Sequence, residues 1–438
     1  MQLTSTTDAT TPGRFAGGRA VLARLNNPVA TGLIGFIGWL VYVVARWGIW
    51  AHRHISLFIM SGSRRYSHPA QMFPKIGHVP SIGYDGQFYY RFALNPFDWR
   101  ATAYGITVDH NYRYTRIGYS LVAYIISLGG HGRLLPTVLV VINLICVGLM
   151  AWLGAKFARE SGRHALWGLL FVAYCGLAVS VGRDTSEPLA DACMLGGLLA
   201  YRHSRYVLAA LLVAYGIFTN EPILVVAVAV ALTRLYQFWK RRARPGLPDL
   251  VWVLPGAVYV VLQGIEKLVV KGSAGGAADI KANFTLPFQA LVPGVYRDIK
   301  DMSWTHLGLY DYNLIVFLFV AVFLVAACAV IRSSAAPLHE KVALVGFVLI
   351  EMVIASGEIW DSVFSDGRTF IDVFLMSVIV LLATPAGPVA DAARTTRASV
   401  MDRVFATDRV VTNKRLGQLA AVAVVVLIVV ARRHILHQ

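Results

Sequence analysis

The sequence contains little charge and little cysteine, and each shortage excludes a class of protein. Only 15% of its 438 residues are charged, whereas about a quarter is usual for a soluble domain. The four cysteines lie inside apolar runs, and none belongs to a CxxC pair or to a Cys/His pattern with metal-ligand spacing. We therefore expect no disulfide framework and no zinc site.

Acidic residues and cofactor motifs are also scarce. The sequence has only 24 Asp and Glu residues but 40 Lys and Arg residues, so its formal net charge is +16. This excess indicates cytoplasmic loops and contact with anionic membrane lipids. No basic cluster is interleaved with aromatic residues, so we expect no nucleic acid among the partners. The sequence has no P-loop, no GxSxG and no DxD motif, and His110 and His131 lack ligand-spaced partners. We therefore predict no cofactor, and a divalent metal stays an alternative that no DxD motif supports.

Apolar residues, in contrast, are abundant and come in long runs. They make up 57% of the chain, and the mean hydropathy is +0.59. Runs near the ~20-residue length of a membrane-spanning helix recur throughout. The first covers about residues 29–47. The others are 117–128, 134–155, 164–181, 187–201, 206–219, 222–239, 250–266, 312–331, 341–356, 369–384 and 416–431.

The distribution of Lys and Arg orients these runs, because such residues favour the cytoplasmic side. The densest cluster, 240–244, is placed there together with the N-terminus. This orientation requires that the short run 117–128 does not cross, so we interpret it as a helix at the outer surface. The result is an all-α, polytopic membrane protein of about eleven spans, with its C-terminus outside.

The same orientation divides the chain into a tail and one domain. Residues 1–28 are expected to form a disordered cytoplasmic tail without a signal peptide. Residues 29–438 are expected to form a single membrane domain. Its two large external loops are predicted at 48–133 and 267–311.

The segment Gly83–Arg91, which reads GYDGQFYYR, is the strongest candidate for chemistry. It places the carboxylate of Asp85 between two glycines and among aromatic side chains. Such a pocket suits a ring-shaped, hydroxylated substrate, with Asp85 as a general base. An Asp-Gly pair also favours turns, so Asp85 could instead be a turn residue.

Other polar and aromatic residues gather at the same predicted face. Ionisable groups near membrane depth are energetically costly and are therefore candidates for function. The substrate-binding candidates are Tyr84, Gln87, Tyr89, Tyr90, Arg113, Arg116, Arg183, Asp184, Glu187, Glu221 and Arg368.

Most of these candidates also have a structural interpretation. Asp184, Glu187 and Glu221 could cap helices that begin nearby. Arg368 could anchor a helix to lipid headgroups or bind a phosphate through its guanidinium fork. The two arginines of Tyr112–Arg116 could likewise be anchors, and the tyrosines could form an interfacial belt.

With these residues the chain resembles the GT-C superfamily of integral-membrane glycosyltransferases. It is most similar to bacterial members that have a GYDGQxYY segment and are associated with cell-surface glycopolymers. Gly83–Tyr90 matches that motif, and Tyr112–Tyr119 matches its continuation. The layout is also similar, with a second acidic motif at Asp184 and a further large loop at 267–311. One departure is that the family usually has a proline after the loop arginine, whereas Arg368 is followed by Thr-Phe-Ile-Asp.

The resemblance implies an inverting hexosyl- or pentosyltransferase in the bacterial cytoplasmic membrane, with its active site at the external, periplasmic face. The donor would be a polyprenyl-phosphate-linked sugar, and the acceptor a cell-surface glycan or lipid. Asp85 would be the general base, while Arg368 and other arginines would stabilise the leaving phosphate. Asp184 and Glu221 would hold sugar hydroxyls or position the acceptor.

Two other classes of protein are alternatives. A transporter or flippase for lipid-linked glycans could use the same carboxylates as cation or proton sites. A non-catalytic subunit of a glycan assembly machine could bind the same lipid. Inverted repeats are common in transporters, but none is evident in this sequence, and the acids lie at one predicted face. An enzyme is therefore the preferred interpretation.

Overall fold

The computed structural model describes most of the chain, and that part is mostly helical. The described residues are 23–72, 75–240, 245–269, 284–302, 309–354 and 366–384, with six single positions between 418 and 429. Strands occur there only as two short two-stranded ladders. The predicted all-α class is therefore confirmed for the described residues.

The regular elements are numbered here in chain order. The α-helices are α1 (Pro28–Ile49), α2 (Gly86–Leu94), α3 (Gly118–Ile126), α4 (Leu135–Glu160), α5 (Gly176–Gly182), α6 (Glu187–Arg202), α7 (Tyr206–Thr219), α8 (Leu224–Trp239), α9 (Leu247–Val251), α10 (Val253–Val269), α11 (Leu291–Lys300), α12 (Leu309–Val330), α13 (Leu338–Val353), α14 (Asp366–Thr369) and α15 (Ile371–Leu382). The strands are β1 (Ser61–Gly62), β2 (His78–Val79), β3 (Thr102–Ala103) and β4 (Ile106–Thr107). Short 3₁₀ helices cover Ile55–Ile59, Pro69–Gln71, Asn111–Tyr114, Ala165–Val172 and Glu221–Ile223.

Several of these helices are suited to crossing a membrane. Within the described residues, the helices that are long and apolar enough are Pro28–Ile49, Leu135–Glu160, Glu221–Trp239, Asp249–Leu268 and Asp311–Val330. The pair Ala165–Val172 and Gly176–Gly182, bent by 67°, makes a sixth if it counts as one broken span. These five or six candidates fit a membrane protein, but they do not fit the predicted eleven spans.

The shortfall arises because several apolar runs form helices shorter than a typical span. The helices α6, α7, α13 and α15 have 16, 14, 16 and 12 residues, whereas about 20 are needed to cross the hydrocarbon core. The run 117–128 forms only the nine-residue α3, which is also shorter than a span. The last run, 416–431, lies largely outside the described residues, as do residues 1–22 of the predicted tail.

Helix α1 packs closely on α4 through two glycines. Its first turn is set by Asn27, whose Oδ1 accepts a hydrogen bond of 2.9 Å from the Val29 N–H, and Pro28 follows at the first helical position. A Cβ at Gly32 would lie 2.9 Å from the Trp152 Cβ, and a Cβ at Gly35 would lie 2.6 Å from the Ala151 Cβ. Small residues at these positions therefore allow the two backbones to approach.

The segment between α1 and α3, predicted as a large loop, is folded against the helices. All nine residues of α2 are buried, and α2 packs on α3 and α4. Strand β1 pairs with β2 in parallel, and β3 pairs with β4 in antiparallel register through a turn at Tyr104 and Gly105. Both turn residues have positive φ, 54° and 75°, as a type I′ hairpin requires. This packing fixes the position of the segment that carries Asp85.

An ion-pair cluster joins three helices at the C-terminal ends of α4 and α6 and the N-terminal end of α13. Arg202, at the end of α6, contacts Glu340 of α13 at 2.6 Å and Glu160 of α4 at 3.0 Å. The side chain of Glu340 is completely buried, so removing either partner would leave an uncompensated buried charge. Because α6 rises ~1.5 Å per residue, this cluster lies about 22 Å along the helix from Glu187.

Candidate functional site

One cavity of about 1320 Å³ combines an apolar wall with a polar end. The apolar wall comes from one face of α8 and one face of α13, which pack against each other. Its residues include Leu224, Val225, Val228, Leu232, Val342, Gly346, Phe347 and Ile350. The polar lining includes Tyr84, Asp85, Gln87, Asp109, Arg113, Arg116, Glu187, Asp191, Glu221, Glu351, Arg368, Thr369 and Asp372.

The apolar wall is a groove with accessible side chains. Val228 and Leu232 are 48% and 52% exposed although they line the cavity. A Cβ at Gly346 would lie 2.7 Å from Val225 Cγ1, so the glycine lets α13 approach α8 at this point. The groove therefore offers an apolar surface that the described protein residues leave uncovered.

Asp85 lies at the start of α2 and is held between two arginines. Its Oδ1 is 2.9 Å from the Arg113 Nη2, and its Oδ2 is 2.7 Å from the Arg368 Nη1. Burial opposes ionisation of the carboxyl group, but the positive charges of Arg113 and Arg368 outweigh it and hold the pKa of Asp85 well below its usual range. Asp85 is therefore an ionised carboxylate and, in this arrangement, a weak base.

The two glycines beside Asp85 are required by the backbone. Gly83 has φ of 83°, in the left-handed region that disfavours side chains. A Cβ at Gly86 would collide with the carbonyl oxygens of Arg183 and Ile59. The first turn of α2 therefore packs directly against the backbone that precedes α6, and this contact brings Asp85 close to the α6 N-terminus.

Arg113 is fixed by a second carboxylate and an aromatic ring. Its Nη2 donates a 2.9 Å hydrogen bond to Asp109 Oδ2, and its Nε donates to Oδ1 of the same residue. The guanidinium carbon lies 4.0 Å from the centre of the Phe88 ring, a cation–π distance. With all these contacts in place, Arg113 is a rigid support for Asp85.

Arg368 connects Asp85 to the start of α6. Its Nε lies 3.3 Å from Glu187 Oε1, and its guanidinium carbon is 5.2 Å from the centre of the Tyr84 ring. The other oxygen of Glu187 accepts hydrogen bonds from the hydroxyls of Ser180 and Thr185. Arg368 thus contacts two carboxylates and lines the cavity, where its guanidinium can also meet a ligand.

Arg116 and Glu221 form a separate pair on the cavity wall. The Arg116 Nε donates to Glu221 Oε2, and the Thr115 hydroxyl donates a 2.7 Å hydrogen bond to Glu221 Oε1. The Arg116 guanidinium also covers the Tyr112 ring at 4.4 Å. This pair ties the segment before α3 to the turn before α8, and both side chains face the cavity.

Gln87 lines the cavity, but its amide also supports the protein backbone. Its Oε1 accepts hydrogen bonds from the Ser67 hydroxyl and the Gly62 N–H, and its Nε2 donates to the Ile82 carbonyl. These bonds tie β1 and the Asp85 segment together. The position of the segment therefore depends on Gln87.

Four predicted binding residues do not line this cavity: Tyr89, Tyr90, Arg183 and Asp184. Tyr89 accepts a 2.7 Å hydrogen bond from the Ser186 hydroxyl, and Tyr90 is only 2% exposed. Arg183 packs behind Tyr84, with its guanidinium carbon 4.2 Å from the ring centre. Asp184 is completely buried with φ of 49°, and burial raises its pKa well above the usual range while Arg46 only partly opposes this. In this arrangement these residues support the site from behind.

Five cavity-lining acids are not among the substrate-binding candidates predicted from the sequence: Asp109, Asp191, Glu266, Glu351 and Asp372. Of these, Asp191, Glu351 and Asp372 each interrupt an apolar run and lie near one end of a helix. The sequence signal that points to these three is the cost of placing an acid inside an apolar run.

No group of three or more His, Cys, Asp or Glu side chains is arranged to hold a metal ion among the residues that the structure describes. Comparisons of the chain with protein-family models, with curated proteins and with solved structures found no match. The argument for function therefore depends on the cavity and the residues that line it.

Proposed function

We propose that the protein is an integral-membrane glycosyltransferase of the GT-C type. It moves a sugar from a polyprenyl-phosphate-linked donor to a hydroxyl of a glycan or lipid acceptor at the external face of the cytoplasmic membrane. The observation that carries the proposal is a cavity in which an apolar groove meets a cluster of arginines and carboxylates. A lipid-linked sugar phosphate has the same two parts, a long apolar chain and a charged, hydroxylated head.

The polyprenyl chain would lie in the groove between α8 and α13. Val228 and Leu232 present partly exposed side chains there, and burying apolar surface contributes about 25 cal/mol per Å². The neighbouring α10 adds Tyr259 to the cavity lining. A lipid entering this groove would have its head at the Arg368 end of the cavity.

The donor phosphate would be bound by Arg368. Its guanidinium fork can contact two phosphate oxygens at once, and it already binds the carboxylates of Asp85 and Glu187. A phosphate that engages Arg368 competes with Asp85 for the same donors. Asp85 would then lose its contact with the Arg368 guanidinium and would lie near the negative charge of the phosphate. Both changes would raise the pKa of Asp85. Donor binding would therefore turn Asp85 into a stronger base.

In the chemical step, Asp85 would accept the proton of the acceptor hydroxyl. The acceptor oxygen forms a bond to the anomeric carbon from the face opposite the leaving group. The bond between that carbon and the phosphate oxygen breaks, and polyprenyl phosphate leaves with the electron pair. Arg368 stabilises the charge that develops on the leaving phosphate. The configuration of the anomeric carbon is inverted.

The purified protein tests this proposal directly. With a radiolabelled polyprenyl-phosphate sugar and an acceptor glycan, the wild type should transfer label. Asp85→Asn should reduce turnover about 100-fold or more, because Asn cannot accept the proton. Asp98→Asn is a matched control in the same segment, since Asp98 pairs only with Arg100 in the described structure and does not line the cavity.

Asp98→Asn should retain wild-type turnover. If Asp85→Asn retained more than about a tenth of the activity, its assignment as general base would be wrong. Tight donor binding without any transfer by the wild type would instead favour the transporter or assembly-subunit alternatives.

A further inference from the structure

Three buried acids from separate helices line one part of the cavity. Asp191 belongs to α6, Glu351 to α13 and Asp372 to α15. They are 2%, 9% and 8% exposed. Three acids at this depth need either cationic partners or a ligand, because burying a charge alone is very unfavourable.

These acids differ from several other cavity acids in having no cationic partner among the described residues. Asp85, Glu187 and Glu221 each contact an arginine. In the described part of the chain, no ion pair involves Asp191, Glu351 or Asp372. The acids therefore lack a cation that would compensate their charge when they are ionised.

Each acid also has an oxygen that accepts no hydrogen bond from the described residues. These atoms are Asp191 Oδ2, Glu351 Oε2 and Asp372 Oδ1. Asp191 and Asp372 are hydrogen-bonded to each other, which requires one of them to carry a proton and donate it. Glu351 accepts a hydrogen bond from Thr369. Three acceptor oxygens thus remain for a ligand that supplies donors.

The acids adjoin the arginine proposed to bind the donor phosphate. Asp191 follows Glu187 by one helical turn, and Glu187 contacts Arg368. Thr369, which contacts Glu351, is the residue after Arg368. A phosphate would be repelled by the carboxylates and attracted to Arg368. The group next to the phosphate, the sugar, would therefore lie at the acids.

We propose that Asp191, Glu351 and Asp372 form a subsite that selects a sugar with a protonated amino group. This inference rests on the proposed glycosyltransferase function and names its substrate class. An ammonium group has three N–H donors and a positive charge, which match the three acceptor oxygens and would compensate the charge of an ionised acid. A neutral sugar hydroxyl offers one donor and no charge.

Binding measurements on the full chain in lipid nanodiscs can test the subsite apart from catalysis. Four probes are compared: polyprenyl phosphate without a sugar, and the same lipid phosphate linked to glucosamine, N-acetylglucosamine or glucose. The three sugars differ at one position, where glucosamine has an amine, N-acetylglucosamine an amide and glucose a hydroxyl. The pH is chosen so that the amine is protonated. The wild type should bind the glucosamine lipid about tenfold more tightly than the other two, a difference of ~1.4 kcal/mol.

The variants Glu351→Gln and Asp191→Asn should each reduce this preference to about twofold or less. Affinity for polyprenyl phosphate without sugar should not change, which also shows that the variants fold. Glu160→Gln, an acid that pairs with Arg202 outside the cavity, should keep the full preference.

Equal binding of the three sugar lipids by the wild type would overturn the subsite, as would an unchanged preference in both variants. The proposed function would survive either result, since polyprenyl phosphate would still bind. A protein that bound none of the four lipids would contradict the proposed function as well as the subsite.

Discussion

Asp85 and Arg368 are far apart in the sequence but form one unit in the structure. The motif around Asp85 predicted a carboxylate in a pocket, and the structure places that carboxylate at the cavity. That two arginines hold this carboxylate could not be predicted, because contacts across the fold leave no local pattern in the sequence. For a similar reason, the sequence does not show that Asp191 of α6 and Asp372 of α15 lie close enough to form a hydrogen bond.

Substitutions at Arg368 should separate its charge from its shape. Arg368→Lys keeps the charge but loses the fork that can bind two phosphate oxygens. One charge-assisted hydrogen bond contributes about 1.5–3 kcal/mol, so we expect roughly 10- to 100-fold weaker use of the donor. The Arg368→Ala variant should use the donor more weakly still. Steady-state kinetics with a synthetic polyprenyl-phosphate sugar measure both effects.

Arg133→Ala provides the control, because Arg133 lies beyond α3 and does not line the cavity. Its kinetics should match those of the wild type. Equal activity of the wild type and both Arg368 variants would show that Arg368 has no role with the phosphate.

Apolar runs in the sequence predict some features of the helices but not others. The runs predicted the positions of helices such as α1 and α4 well. They did not predict the lengths of the helices or the bends between them. The run 164–181 contains a 3₁₀ helix and a short α-helix bent by 67°, and its composition is apolar on both sides of the bend. Close packing, such as that of Ala155 against Gly168, depends on partners that a single run does not contain.

Two glycines of α1 give a matched test of the packing against α4. Gly35→Ala would place a Cβ 2.6 Å from the Ala151 Cβ, whereas a Cβ at Gly38 would meet nothing within 4 Å. We expect Gly35→Ala to destabilise the protein by about 1–3 kcal/mol through overpacking. Gly38→Ala should be neutral or stabilising by up to ~1 kcal/mol, because alanine favours helix.

Thermal unfolding of the two variants in the same detergent measures the difference. A lower midpoint for Gly35→Ala alone would support the close contact of α1 with α4. Equal midpoints would contradict it.

The whole molecule has two dissimilar ends. Asp85, Arg368 and the cavity acids lie near the start of α6, while Arg202 and its partners Glu160 and Glu340 lie at the end of that helix. The charge bias in the sequence predicted this polarity and assigned the first end to the external face. The predicted number of spans does not fit the described residues, because apolar composition does not distinguish a spanning helix from a shorter buried one.

Cysteine labelling in intact cells tests the assigned orientation. Ala70 and Ser333 are exposed residues, the first in the segment that carries Asp85 and the second between α12 and α13. Cys328 should first be changed to Ser, because it is exposed whereas the other three cysteines are buried. A membrane-impermeant thiol reagent should label Ala70→Cys and should label Ser333→Cys only after the cells are opened. The reverse pattern would place the cavity at the cytoplasmic face.

The most direct test of the central claim is a cryo-electron microscopy structure of the protein with a polyprenyl phosphate. The account predicts that the lipid chain lies in the groove between α8 and α13, against Val228 and Leu232. It also predicts that the phosphate lies within hydrogen-bonding distance of Arg368, about 3 Å, and that Arg368 has turned from Asp85 toward it. A lipid chain bound elsewhere, or a phosphate away from Arg368 with the Asp85 ion pair unchanged, would contradict the account.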